Sequence, residues 1–155
     1  MQARREFLSH SARVATLLAA AGVLPLAARA QASNWPAAAF DAKTLADVMK
    51  ALGAGTPVES KDVSLTGPDI AENGAVVPVG VATALPGAKK LMLMVEKNPN
   101  ALSAVFDVSD SIEANFSTRV KMAQSSNVYA VAMMGDGKVL FAQKEIKVTL
   151  GGCGG

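Results

Sequence analysis

The chain has 155 residues, half of them hydrophobic but only 5% aromatic, with fifteen basic and thirteen acidic side chains. Residues 1–32 hold four of the basic and one of the acidic groups, so the remainder carries eleven and twelve, a net charge of −1. That remainder has the length of a single domain and no basic patch of the kind that binds nucleic acid.

The first 32 residues read as an export signal. Arg4 and Arg5 stand before Glu6, Phe7 and Leu8, an uncharged Ala- and Leu-rich run follows from Val14 to Ala28, and two overlapping small-residue cleavage sites end it at Ala28-Arg29-Ala30 and Ala30-Gln31-Ala32. A charged region, an apolar region and a cleavage site in that order make a leader, and the apolar run falls short of the ~20 residues of a membrane helix. The paired arginines favour the twin-arginine route to the periplasm. The only histidine, His10, lies in this leader. The remaining chain therefore cannot build a Ser-His-Asp or Cys-His catalytic set, nor a histidine zinc site.

Next in the chain, "DAKTLADVMKALGAG" places Leu45, Val48, Met49 and Leu52 on one helical face. Asp41 is the expected N-cap, and Gly53, Gly55 and Pro57 supply the stop. Beyond Thr56 the pattern turns to strands. They are expected at 63–66, 76–83, 88–97, 102–109, 115–123, 127–135 and 138–150, with breaks at Gly67-Pro68 and Asn73-Gly74 and a hairpin turn at Asp136-Gly137. Pro78 argues that its strand lies at an edge or carries a bulge. Phe116, Thr118, Val120 and Met122 share one strand face. About seven short strands with frequent turns predict a mainly β protein: an immunoglobulin-like antiparallel β-sandwich with a short N-terminal helix. The domain division is 1–32 leader, 33–150 sandwich and 151–155 arm.

The chain ends "VTLGGCGG". Cys153 is the single cysteine, so no internal disulfide can form, and an odd cysteine in an exported protein points to intermolecular pairing or a working thiol. Gly151, Gly152, Gly154 and Gly155 give the backbone around it the widest conformational range and the least girth. This predicts a narrow, flexible arm that extends Cys153 about 10 Å past Leu150, at ~3.3–3.6 Å per residue. A free thiol has a pKa near ~8.5, and the neighbouring terminal carboxylate opposes ionisation further. The sequence thus lacks the means to activate this thiol by itself and leaves activation to an enzyme that receives the arm.

At these residues the chain resembles the SoxY family of sulfur-carrier proteins in bacterial thiosulfate oxidation. "KVTLGGCGG" (Lys147–Gly155) carries the resemblance, with "ENGAVVPV" (Glu72–Val79), "EKNPNAL" (Glu96–Leu102) and "STRVKMA" (Ser117–Ala123). The resemblance implies a periplasmic, non-enzymatic carrier without a cofactor of its own, paired with a SoxZ-like β-sandwich subunit. It implies that Cys153 holds thiosulfate-derived sulfur as a thiosulfonate adduct. A c-type cytochrome enzyme loads it, a dimanganese hydrolase releases sulfate, and a sulfane dehydrogenase containing molybdenum and haem, where present, oxidises the remaining sulfur. A contrasting reading is an exported structural module crosslinked by a permanent intermolecular disulfide; a thiol oxidoreductase is weakened by the missing second cysteine.

Other side chains have plainer explanations. Met92 and Met94 share a strand face and read as core filling rather than as copper ligands. Asp107, Asp110 and Glu113 lack the spacing of a calcium loop and read as a solvated turn. Arg119, the only arginine after the leader, is expected in a surface or interfacial salt bridge.

Overall fold

The structure, a computed structural model, describes residues 36–150. The expected leader and the glycine-flanked Cys153 lie outside these residues.

The described chain opens with two short helices, α1 (Ala37–Asp41) and α2 (Leu45–Ala51). Thr44 caps α2: its backbone is extended and its hydroxyl accepts the Asp47 N–H at 3.1 Å. The cap is therefore Thr44 and not Asp41, which instead closes α1. A capping oxygen must sit immediately before the first helical residue to reach the third N–H, and the extended Ala42 separates Asp41 from α2. Val48 and Met49 are buried as the apolar spacing predicts, Leu45 and Leu52 half-buried. Gly53 ends the helix at φ +64°, a conformation suited to glycine.

Nine strands follow in two sheets. One runs β1 (Pro57–Glu59), β9 (Val139–Val148), β8 (Ser126–Met134), β5 (Ala88–Val95), β6 (Leu102–Asp107), with β3 (Ile70–Ala71) also paired to β9. The other is β2 (Val63–Thr66), β4 (Val77–Thr83), β7 (Asn115–Val120). This is an immunoglobulin-like β-sandwich, as the strand spacing indicates. All seven expected strands are present. Two further strands, β1 and β3, run parallel to β9. With three and two residues they are too short to display the period-2 alternation that identifies a strand.

Strand β5 is buried on both faces. Leu91, Leu93 and Val95 meet Val77, Val79 and Val81 of β4 and Val128 and Ala130 of β8 in the inter-sheet core. Met92 and Met94 turn the other way and pack against Val48, Met49 and Ala39 of the helices. The helical layer thus covers the outer face of the larger sheet. Strand β7 alternates as expected: Phe116, Thr118 and Val120 point inward and Arg119 outward. The Phe116 ring stacks on Phe106 of β6 at 4.5 Å between centroids, closing the flank between the sheets.

Pro78 departs from expectation. It sits in the central strand of the smaller sheet, not at an edge. Strand β2 pairs with β4 only as far as Thr66 opposite Gly80, whereas β7 continues to Val120 opposite Val77. At Pro78, opposite Arg119, β4 therefore has a neighbour on one side only, which is where a residue without an N–H is tolerated.

Candidate functional site at the root of the carboxyl-terminal segment

Cys153 is three residues beyond the last described residue, so the describable part of the site is the structure that launches it. Strand β9 brings the chain there. Eight of its ten residues pair with β8, from Val139 opposite Met133 to Ile146 opposite Ser126, and the last two, Lys147 and Val148, pair with β3. Ile146 is fully buried in the inter-sheet core and fixes the strand's rotation.

The end of β9 is clasped by the segment from Asp69 to Gly74. The Lys147 N–H donates to the Asp69 carbonyl at 3.0 Å and the Thr149 N–H to the Ala71 carbonyl at 3.1 Å. The Thr149 hydroxyl donates to the Glu72 carbonyl at 2.8 Å. The Gly74 N–H donates to the Leu150 carbonyl at 2.7 Å. On the other side the Ser125 hydroxyl accepts the Val148 N–H at 2.9 Å. The backbone is therefore held through Leu150, immediately before Gly151.

The three internal motifs converge here. Asn98, in "EKNPNAL", donates from its side chain to the Lys121 carbonyl at 2.7 Å and accepts the Ala123 N–H at 3.1 Å. The Met122 N–H, in "STRVKMA", donates to the Gly74 carbonyl at 2.7 Å, and Gly74, in "ENGAVVPV", donates to Leu150. A continuous path of hydrogen bonds thus joins Asn98 to the root of the terminal segment. Asn73-Gly74 reads from sequence as a turn, and a turn it is, with the Asn73 side chain accepting the Ala75 N–H at 2.8 Å. Nothing in the sequence marks Gly74 as the residue that holds Leu150, because both partners are backbone groups.

Lys144 braces the clasp from below. Its ammonium lies 2.8 Å from the Asp69 carboxylate and donates to the Gly67 carbonyl at 2.6 Å. The hydrogen bond and charge of Lys144 hold the Asp69 carboxyl below its ordinary 3.8. A depressed carboxyl stabilises the fold above its unfolded pKa, and that contribution disappears as pH falls through the folded one. Wild type is therefore expected to melt above Asp69→Asn at neutral pH. The gap should begin to close as pH drops below about 4, the ordinary carboxylate range, and vanish below the depressed pKa; thermal melts across that range check it.

The remaining candidates fall elsewhere. Met92 and Met94 are core residues, as their spacing suggests. Asp107 and Asp110 are exposed and paired with Lys90 and Lys89. Among the described residues no group of His, Cys, Asp or Glu is arranged to hold a metal. Arg119 is exposed on the outer face of the smaller sheet, beside a groove of about 460 Å³ that includes Gly80 and Ser117. It joins none of the ion pairs among the described residues, so the surface half of the expected surface or interfacial salt bridge is not formed within them. The larger cleft, about 880 Å³, lies between Ala82–Ala88 and Val108–Asn115, where β4 ends and β7 begins. It is at the opposite end of the sandwich from Leu150.

Comparison with known proteins decides the family. The family model "Sulfur oxidation protein SoxY" matches residues 48–153, from α2 through Cys153. The chain belongs to the SoxY family. Among solved structures, the sulfur carrier protein SoxY from Chlorobium limicola f thiosulfatophilum is 37% identical, with a TM-score of 0.60, covering 66% of this chain and 93% of that one. A superoxide reductase (neelaredoxin) from Ignicoccus hospitalis aligns over 56% of this chain and 78% of its own at 18% identity and a TM-score of 0.50, a likeness of fold alone. Comparison with curated proteins gave no match. As a SoxY family member the chain is a protein of sulfur oxidation, and among its described residues no helix is long and apolar enough to cross a membrane.

Proposed function

We propose that this SoxY chain is an exported, non-enzymatic carrier that holds thiosulfate-derived sulfur covalently on Cys153. The observation that carries the reading is the family match itself, which extends to Cys153, the only sulfhydryl the chain possesses. The clasp around Thr149 and Leu150 supports it physically, because it gives a fixed origin to a segment whose glycines permit wide excursions. The twin-arginine leader would deliver the folded chain to the periplasm. Gly151, Gly152, Gly154 and Gly155 would let the thiol swing between partners.

In the proposed cycle the Cys153 thiolate and thiosulfate form a sulfur–sulfur bond, giving R–S–S–SO3⁻ and releasing two electrons to a c-type cytochrome enzyme. Water then cleaves the terminal sulfur–sulfur bond in a dimanganese hydrolase, giving sulfate, two protons and the persulfide R–S–S⁻. A sulfane dehydrogenase would pass six electrons from the outer sulfur to an electron acceptor while three waters supply oxygen, giving R–S–SO3⁻ and six protons. A second hydrolysis would release sulfate and a proton and restore the thiol. The carrier contributes binding and local concentration: a tethered intermediate meets successive enzymes as an effectively linked ligand. A β-sandwich subunit of the SoxZ kind completes the complex.

Intact mass spectrometry of the protein from thiosulfate-grown cells tests this. Reductant-sensitive mass increments of bound sulfur, mapped to the peptide containing Cys153, are expected. A uniformly crosslinked dimer without such increments would instead support the structural-module reading.

A further inference from the structure

Among the described residues, five large hydrophobic side chains are prominently exposed, and three of them surround the place where the chain leaves the fold. Ile70 is 58% exposed, Val76 54% and Leu150 70%. Ile70 lies opposite Lys147 on β9, three residues before Leu150. Val76 follows by two residues the Gly74 that is bonded to the Leu150 carbonyl. The other two, Val58 on β1 and Ile112 in the loop after β6, are elsewhere, and Ile112 lines the cleft at the far end.

Chain length turns this placement into a constraint. Three residues separate Leu150 from Cys153, and three residues span at most ~10 Å in any conformation. A catalyst that acts on the Cys153 sulfur must therefore bring its reacting centre within about that distance of Leu150, plus the length of one side chain. A centre recessed below an enzyme's surface can be reached over so short a span only if that surface rests against the carrier around Leu150. Whatever receives the sulfur must touch the root.

The exposed charges there are mixed in sign, with Lys121 also beside the Met122 that bonds Gly74. Glu72 and Lys147 are exposed with opposite signs, and Asp69 is neutralised by Lys144. Apolar surface is non-directional and suits partners of differing detail, whereas a fixed charge pattern discriminates among them. Three half-exposed aliphatic side chains also make a small contact, consistent with a transient complex that releases readily.

We infer that Ile70, Val76 and Leu150 form an apolar collar on which the enzymes that process the Cys153-bound sulfur dock, each presenting an apolar rim around its active-site entrance. The inference rests on the carrier reading above and adds the surface that receiving enzymes share.

The test uses the full-length carrier with its partner subunit in a reconstituted thiosulfate-oxidising system. Ile70→Thr, Val76→Thr and Leu150→Ser are combined, because threonine keeps the β-branched shape while removing apolar surface. A matched control combines Val58→Thr and Ile112→Thr. The collar variant is expected to raise the half-saturating carrier concentration at least five-fold. Its turnover at saturation, thiol titre and melting profile should match wild type, and the control should leave the half-saturating concentration unmoved. An unmoved collar variant, or equal shifts in collar and control, would overturn the collar while Cys153→Ser still abolished turnover, leaving the carrier reading intact. Turnover surviving Cys153→Ser would overturn the carrier reading and the collar with it. A collar variant that failed to co-purify with the β-sandwich subunit would assign the patch to that subunit and so refute enzyme docking.

Discussion

Replacing Cys153 with serine is expected to abolish thiosulfate-dependent sulfate formation in a reconstituted system while leaving the fold unchanged. The substitution removes the only sulfur of cysteine type in the chain. A serine hydroxyl cannot form the sulfur–sulfur bond on which the proposed cycle runs, and it is scarcely ionised near neutral pH. The position lies three residues past the clasp at Leu150, so the hydrogen bonds from Asp69 to Gly74 should be indifferent to it. Thermal melts should superimpose on wild type, and sulfate output should drop to the level without carrier. Full turnover by the serine variant would remove the chemical basis of the proposal. A partial result can be resolved by mass: adducts on any other residue would point to a second attachment point.

The second large effect concerns the strand on which both packed layers depend. Leu93→Ala should cost about 2–5 kcal/mol of folding stability, the range for truncating a fully buried leucine in a core that relaxes incompletely. Leu93 is wholly inaccessible and lies between the sheets, against valines of β4 and β8. Met92→Ala, one residue away and equally inaccessible, faces the helices instead. Its damage should fall first on α1 and α2, with faster hydrogen exchange at Val48 and Met49 while the amides of β8 remain protected. Chemical denaturation for the first variant and exchange mass spectrometry for the second measure these outcomes. Identical exchange patterns in the two variants would mean that β5 does not separate two packing layers.

How much of this was readable from residues alone follows from the length over which a pattern repeats. Strand β7 declares itself because Phe116, Thr118 and Val120 alternate with exposed partners over six positions. Strand β5 reads as a continuous apolar run, which identifies a strand covered on both faces without saying by what. Strands β1 and β3 escape because three and two residues carry no period, and their parallel pairing to β9 depends on chain elements more than 70 positions away. Thr44 displaces Asp41 as the helix cap because Asp41 is the last residue of a preceding one-turn helix, α1, and extended Ala42 separates it from α2. Pro78 misleads because a central strand can be edge-like over part of its length. The Asn98–Met122–Gly74–Leu150 path was invisible for a different reason: most of its atoms are backbone, and backbone groups have no sequence signature. The motifs that carry the family resemblance were legible as motifs; that they assemble at one end of the sandwich required the coordinates.

Strand β9 also has a mechanical side. A pull exerted at Leu150 runs along the strand's own axis, and its bonds to β8 on one flank and to β1 and β3 on the other lie across that axis. Such a load is shared in shear by many transverse bonds at once rather than opening them one after another. In the proposed carrier cycle, an enzyme that gripped the Cys153 sulfur and then withdrew would therefore load β9 along its length without unzipping the sandwich.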